Sequence, residues 1–178
     1  DDQTVYVVGS RIGRSADFEG PSPVLTVDRA AIENSGYDNL QQLLEKYPKD
    51  VRLVLKNFPL PMHPYARNAA AAALAANNQG KYWQFSHLLF QNSARLSDAT
   101  IQNLVKQLGL DAGKLNRDMR SAPVQYRINK DMIEAENASV EGTPAVFING
   151  KALRIGNDAE LKMAVENELK RKKEGPIK

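Results

Sequence analysis

The chain alternates short apolar runs with long stretches of helical periodicity. "TVYVVGS", Thr4 to Ser10, is β-branched and aromatic and ends in Gly-Ser, which predicts a strand. Arg11 to Pro23 is polar and interrupted by glycine and proline, so it reads as a loop. "VLTV", Val24 to Val27, predicts a second short strand. Asp28 can cap a helical stretch that Ser35-Gly36 closes. Leu40, Leu43 and Leu44 then fall at i, i+3, i+4, the spacing of an amphipathic helix. "VRLVLKNF", Val51 to Phe58, predicts a well-buried strand, stopped by Pro59, Pro61 and Pro64.

A long helical block comes next. Pro64 suits a first helical turn, the alanine-rich Ala66–Ala76 run has high helix propensity, and Gly80 can end it. Tyr82 to Gln91 reads as a helix with an aromatic face. Ser97 or Asp98 caps the next helix, with Ile101, Leu104, Val105 and Leu108 in period and Gly109 closing it. Asp111 opens another, and Pro123 starts one carrying Val124, Ile128, Met132 and Ala135 on one stripe. In "GTPAVFINGKALRI" two apolar runs flank Asn149-Gly150, the strongest hairpin signal in the chain. Asn157 and Glu160 resemble a capping box for a last helix striped by Leu161, Ala164, Val165 and Leu169. Strand, strand, helix, strand, helical block, hairpin, helix predicts an α/β fold. It has a mixed sheet and a helical insertion, and its strand-helix-strand start favours a parallel pair.

Composition narrows the chemistry. Hydrophobic residues are 42% and charged residues 25% of 178, as in ordinary globular proteins. Lys and Arg number 24 against 21 Asp and Glu, a net charge of +3 that is no nucleic-acid signature. The basic cluster Lys170 to Lys173 reads as the solvated last turn of a helix. No apolar run approaches the ~20 residues of a membrane span. No signal peptide is visible, and the start at Asp1-Asp2 suits a mature or trimmed form. Cysteine is absent, which removes disulfides, thiolate nucleophiles, dithiol exchange and cysteine-ligated zinc. His63 and His87 have no ligand partner at metal spacing, so no metal and no cofactor are expected. Ser86 and His87 are helical neighbours and do not face each other. Tyr82, Trp83, Phe85 and Phe90 read as packing residues, with a ligand face as the alternative.

From Glu45 to Phe90, "EKYPKDVRLVLKNFPLPMHPYARNAAAAALAANNQGKYWQFSHLLF", the chain resembles the DsbA-like thiol:disulfide oxidoreductases. The resemblance continues through "LSDATIQNLVKQLGLD" and "ASVEGTPAVFINGK" to about Leu169. It implies a thioredoxin-like fold with the helical block between the second and third core strands, and a cis peptide at Thr143–Pro144. It also implies periplasmic location. Family members carry Cys-x-x-Cys after the first strand, which would correspond to about Val24–Val27. The stretch after Val27 in this chain is "DRAAIENSGYDNLQQLL", so no catalytic residue carries over. In the family, the residue before the cis-proline offers backbone hydrogen bonds to an extended peptide. Thr143 and Pro144 are therefore the candidate peptide-binding residues, with retention for folding as the bland alternative.

The front of the chain resembles something else. "VYVVGSRIGRSADFEGPSPVLTVDRAAIENSGYDNLQQLLEK" is similar to the start of the plug domain of TonB-dependent outer-membrane receptors. The expected organisation is a plug-like segment 1–46 joined to a DsbA-like remainder 47–178 in one integrated globular domain. A plug strand and helix would replace the lost first strand and helix, burying Leu40, Leu43 and Leu44 at roughly 1.5–3 kcal/mol each. The strand Thr4–Ser10 then has no counterpart in the core, and an apolar edge invites pairing, so a homodimer through it is expected. The functional expectation is a redox-inactive, non-catalytic protein whose partner is an extended peptide or an envelope protein. The alternatives are a thiol:disulfide interchange enzyme and an envelope module acting through the plug-like segment.

Overall fold

Four short strands form one mixed sheet in the computed structural model, which describes residues 5–8, 47, 49–143, 145–154 and 158–174. They are β1, Val5–Val8; β2, Val51–Val54; β3, Val146–Ile148; and β4, Lys151–Leu153. The spatial order is β2-β1-β3-β4. β1 and β2 run parallel, with Val5 opposite Val51 and Val8 opposite Val54. β3 is antiparallel to β1 and to β4. Five helices, α1 (Ala66–Asn77), α2 (Tyr82–Gln91), α3 (Asp98–Gln107), α4 (Ala112–Met119) and α5 (Ala122–Asn137), separate β2 from β3, and α6 (Asp158–Glu174) comes after the hairpin. This is the mixed sheet with a helical insertion that the sequence pattern predicts, and it agrees with the thioredoxin-like fold that the resemblance implies.

The front of the chain departs from expectation. Val5–Val8 is bonded to β2 on one side and to β3 on the other. Val7 and Val8, paired on both sides, offer no backbone row to a second copy, while Val5 and Tyr6 pair with β2 alone and the rest of Thr4–Ser10, through which a homodimer was expected, lies outside the described residues. Val5–Val8 also occupies the slot beside β2 and β3 that was expected for Val24–Val27. Val24–Val27, and the helix of Leu40, Leu43 and Leu44, lie outside the described residues. β2 is also shorter than expected, ending at Val54 instead of running to Phe58.

Two units emerge among the described residues: 5–8, 47–56 and 134–174, and 57–133. In the first, Val51 and Leu53 alternate with half-buried Arg52 and Val54, so one face of β2 is buried. Phe147 and Ile148 of β3 are buried, as are Val165 and Leu169, one turn apart on α6. The hairpin turn places Asn149 at φ 48° and Gly150 at φ 76°. Both central residues of a two-residue primed turn need positive φ, and Asn-Gly tolerates it best. Asn149 also donates from Nδ2 to Glu168 Oε1 at 3.2 Å, tying the turn to α6. Lys56, its side chain 3% exposed, donates to Glu134 at 2.6 Å.

The second unit is helical. Its core includes Phe85, Ile101, Val105, Leu115 and Ile128, each at most 1% exposed. At roughly 1.5–3 kcal/mol per side chain, such burial is what holds short helices that would be marginal alone. Ser97 caps α3 by accepting from Thr100 N, and Asp111 caps α4 by accepting from Lys114 N. Both caps stand where the sequence predicts them. α1 begins at Ala66, so Pro64 precedes the helix and does not open it. Pro123 does lie in the first turn of α5.

Candidate functional site

The loop that carries Thr143 is set by the elements on either side. α5 ends in a Schellman motif: Ser139 N donates to Glu136 O at 2.9 Å and Val140 N to Ala135 O at 3.0 Å. Ser139 adopts φ 55°, a left-handed conformation usually left to glycine or asparagine. A serine here holds strain of roughly 1–3 kcal/mol. Four residues on, Thr143 is exposed, and the chain enters β3 at Val146. Thr143 is thus presented between a fixed helix end and the sheet. Pro144 and the geometry of the Thr143–Pro144 peptide lie outside the described residues.

The other sequence candidates separate. His63 is exposed, while His87 sits on α2 with Nε2 2.7 Å from Gln91 Nε2, one turn away. Among the described residues no group of three His, Asp or Glu side chains could hold a metal ion. Tyr82, Trp83 and Phe85 are buried, and the Tyr82 and Trp83 rings meet edge to face at 5.4 Å and 87°. That is packing geometry. Phe90 differs, at 67% exposed.

Two features were not singled out from the sequence. Asp131 on α5 is fully buried. Its Oδ2 accepts from Asn57 N and Asn57 Nδ2, both at 2.9 Å, and its Oδ1 accepts from Arg127 Nε at 3.0 Å. The signal was present: residue 131 lies at i+7 from Val124, on the apolar stripe. A carboxylate there needs buried partners. These bonds hold Asn57 against α5, and the chain has already left the sheet at Val54. The second feature is an apolar cavity of about 570 Å³ between α1, α2 and the 57–65 segment. Its mark in the sequence is the spacing of Ala66, Ala69, Ala70 and Ala73, which reads as helix propensity and conceals a missing volume.

Comparison with known proteins places this geometry. The DSBA-like thioredoxin domain matches residues 34–166. Its start takes in 34–46, a stretch expected to belong to the plug-like segment. A thioredoxin-like oxidoreductase from Silicibacter pomeroyi superposes with a TM-score of 0.66 at 26% identity, over 96% of this chain and 89% of that one. The thiol-disulfide exchange protein α-DsbA2 of Wolbachia pipientis superposes with a TM-score of 0.67 at 18% identity, over 94% of this chain and 83% of that one.

Curated relatives carry a different name. A Na(+)/H(+) antiporter NhaA of Salinispora tropica is 33% identical over 135 residues, 73% of this chain and 21% of that protein. One of Salinispora arenicola is 35% identical over 103 residues, 57% of this chain and 16% of that protein. The chain thus spans about a fifth of the length of the curated relatives it matches. Among the described residues no helix is long and apolar enough to cross a membrane. The match over 34–166, together with the sheet order and the inserted helices, makes this chain a member of the DSBA-like thioredoxin domain family.

Proposed function

We propose that this chain is a redox-inactive member of its family that works by binding and not by disulfide exchange. One observation carries the reading: a chain of this family has no cysteine among its 178 residues. Exchange proceeds by attack of a thiolate on a disulfide sulfur, through a mixed disulfide. No side chain here supplies that sulfur, and a serine alkoxide cannot cycle between oxidised and reduced forms. The thiol-disulfide exchange named for the Wolbachia protein is therefore not carried over. Nor is the ion exchange named for the antiporters, of which this chain spans about a fifth.

The proposed binding element is Thr143–Pro144. Exposure of Thr143 beside β3 supports it, because an extended peptide gains affinity there from main-chain hydrogen bonds and needs no sulfur. The proposed setting is the periplasm, by family resemblance, with the plug-like front of the chain as a fused segment. Titration with an unstructured, cysteine-free peptide, monitored by amide NMR, tests the binding. The reading expects shifts concentrated at Gly142, Thr143 and the β3 amides. Saturating peptide that moves none of these amides overturns it.

A further inference from the structure

We propose that the cavity beside α1 is a binding site for a neutral, ring-sized apolar molecule bearing one hydrogen-bonding oxygen. This goes beyond peptide binding at Thr143, because the described residues that line the cavity all fall within 57–96. Its volume, about 570 Å³, lies within the roughly 300–1,000 Å³ of small-molecule pockets and far above the water-sized voids of a packed core. Ala66, Ala69, Ala70 and Ala73 fall at i, i+3, i+4, i+7 and turn one methyl-surfaced face of α1 to it. Tyr82 and Leu89 of α2 supply apolar surface opposite.

Small residues alone do not make a site. Ser86 is the second observation. It is 8% exposed, it lines the cavity, and its hydroxyl has no hydrogen-bond partner among the described residues. The hydroxyl opens to the cavity and is not sealed, since Gln84 Oε1 and not Ser86 Oγ is the buried side-chain atom without a partner among the described residues, and an oxygen on a ligand would bond it there. Charge sets the class of ligand. No Asp, Glu, Lys or Arg is among the described residues lining the cavity. An ion finds no carboxylate, ammonium or guanidinium counter-charge among those described residues. An uncharged ring with a hydroxyl fits the volume, the apolar wall and the Ser86 hydroxyl together.

Phenol and toluene, titrated separately into the intact chain and monitored by amide NMR of α1 and α2, are the test. Both shift the lining amides in the parent chain. Ser86→Ala weakens phenol by about 2- to 10-fold, the factor for one neutral hydrogen bond, and leaves toluene unchanged. Ala69→Leu, which fills the wall with a good helix former, weakens both by about tenfold or more with helix content unchanged by circular dichroism. If Ala69→Leu does not fold, the Ser86→Ala comparison decides alone. Absence of shifts with either probe, or equal loss of phenol and toluene in Ser86→Ala, overturns the proposal.

Discussion

Asp131 and Ser86 are both buried polar residues on helices of the 57–133 unit, and their surroundings are opposite. Asp131 has both oxygens engaged, by Asn57 and by Arg127. Ser86 faces a cavity and has no partner among the described residues. The difference separates scaffold from site. A buried polar group that the chain itself satisfies fixes geometry, here the path of the chain at Asn57. One that the chain leaves unsatisfied beside an open volume is available to something else.

The largest effect should come from breaking the satisfied side. Asp131→Ala leaves the Arg127 guanidinium, its side chain 11% exposed, without this carboxylate, and Asn57 without its acceptor. Removing one partner of a buried pair costs roughly 3–5 kcal/mol. Denaturant unfolding should therefore show a midpoint far below that of the parent chain. A loss under about 1 kcal/mol would place Asp131 among ordinary surface residues and dissolve the contrast.

Partnered charge at the surface should be visible only through pH. The Lys114 ammonium, 2.6 Å from Asp118 Oδ2, holds that carboxyl below its ordinary value of 3.8, aided by Asn78. A lowered folded-state pKa stabilises above the unfolded value, and the contribution is lost as pH falls from 3.8 through the folded pKa. Asp118→Asn should flatten the acid side of the stability curve below about pH 4 and leave its slope near neutrality unchanged. An unchanged acid limb would contradict the assignment.

Least of all should change in Ser86→Ala. Its hydroxyl has no bond among the described residues to lose, and alanine is the better helix former, so unfolding free energy should stay within about 0.5 kcal/mol or rise. A loss of about 1 kcal/mol or more would reveal a partner and move Ser86 to the scaffold side.

How much of the molecule was legible in the sequence depends on how local each cause is. The Asn149-Gly150 hairpin, the Ser97 and Asp111 caps and the stripe of Val124, Ile128 and Ala135 were all readable, because turn, cap and period are set by neighbouring residues. The family resemblance was readable too, since it lies in contiguous motifs. The place of Val5–Val8 between β2 and β3 was not, because strand order depends on partners more than forty residues away. Nothing in "VYVV" distinguishes a central strand from an edge. Asp131 could have been flagged by its stripe position, though not its partner Asn57. The cavity was hidden for a different reason. Alanines at helical spacing describe close packing as well as empty space, and only the positions of α1, α2 and the 57–65 segment decide between them.

The central claim is that a thioredoxin-like family fold persists here without its chemistry. A dithiol-coupled reduction assay, with insulin as substrate and dithiothreitol as reductant, tests it most directly. The account predicts a rate equal to that of dithiothreitol alone at every concentration of the chain. A rate that rises in proportion to the chain's concentration would contradict it.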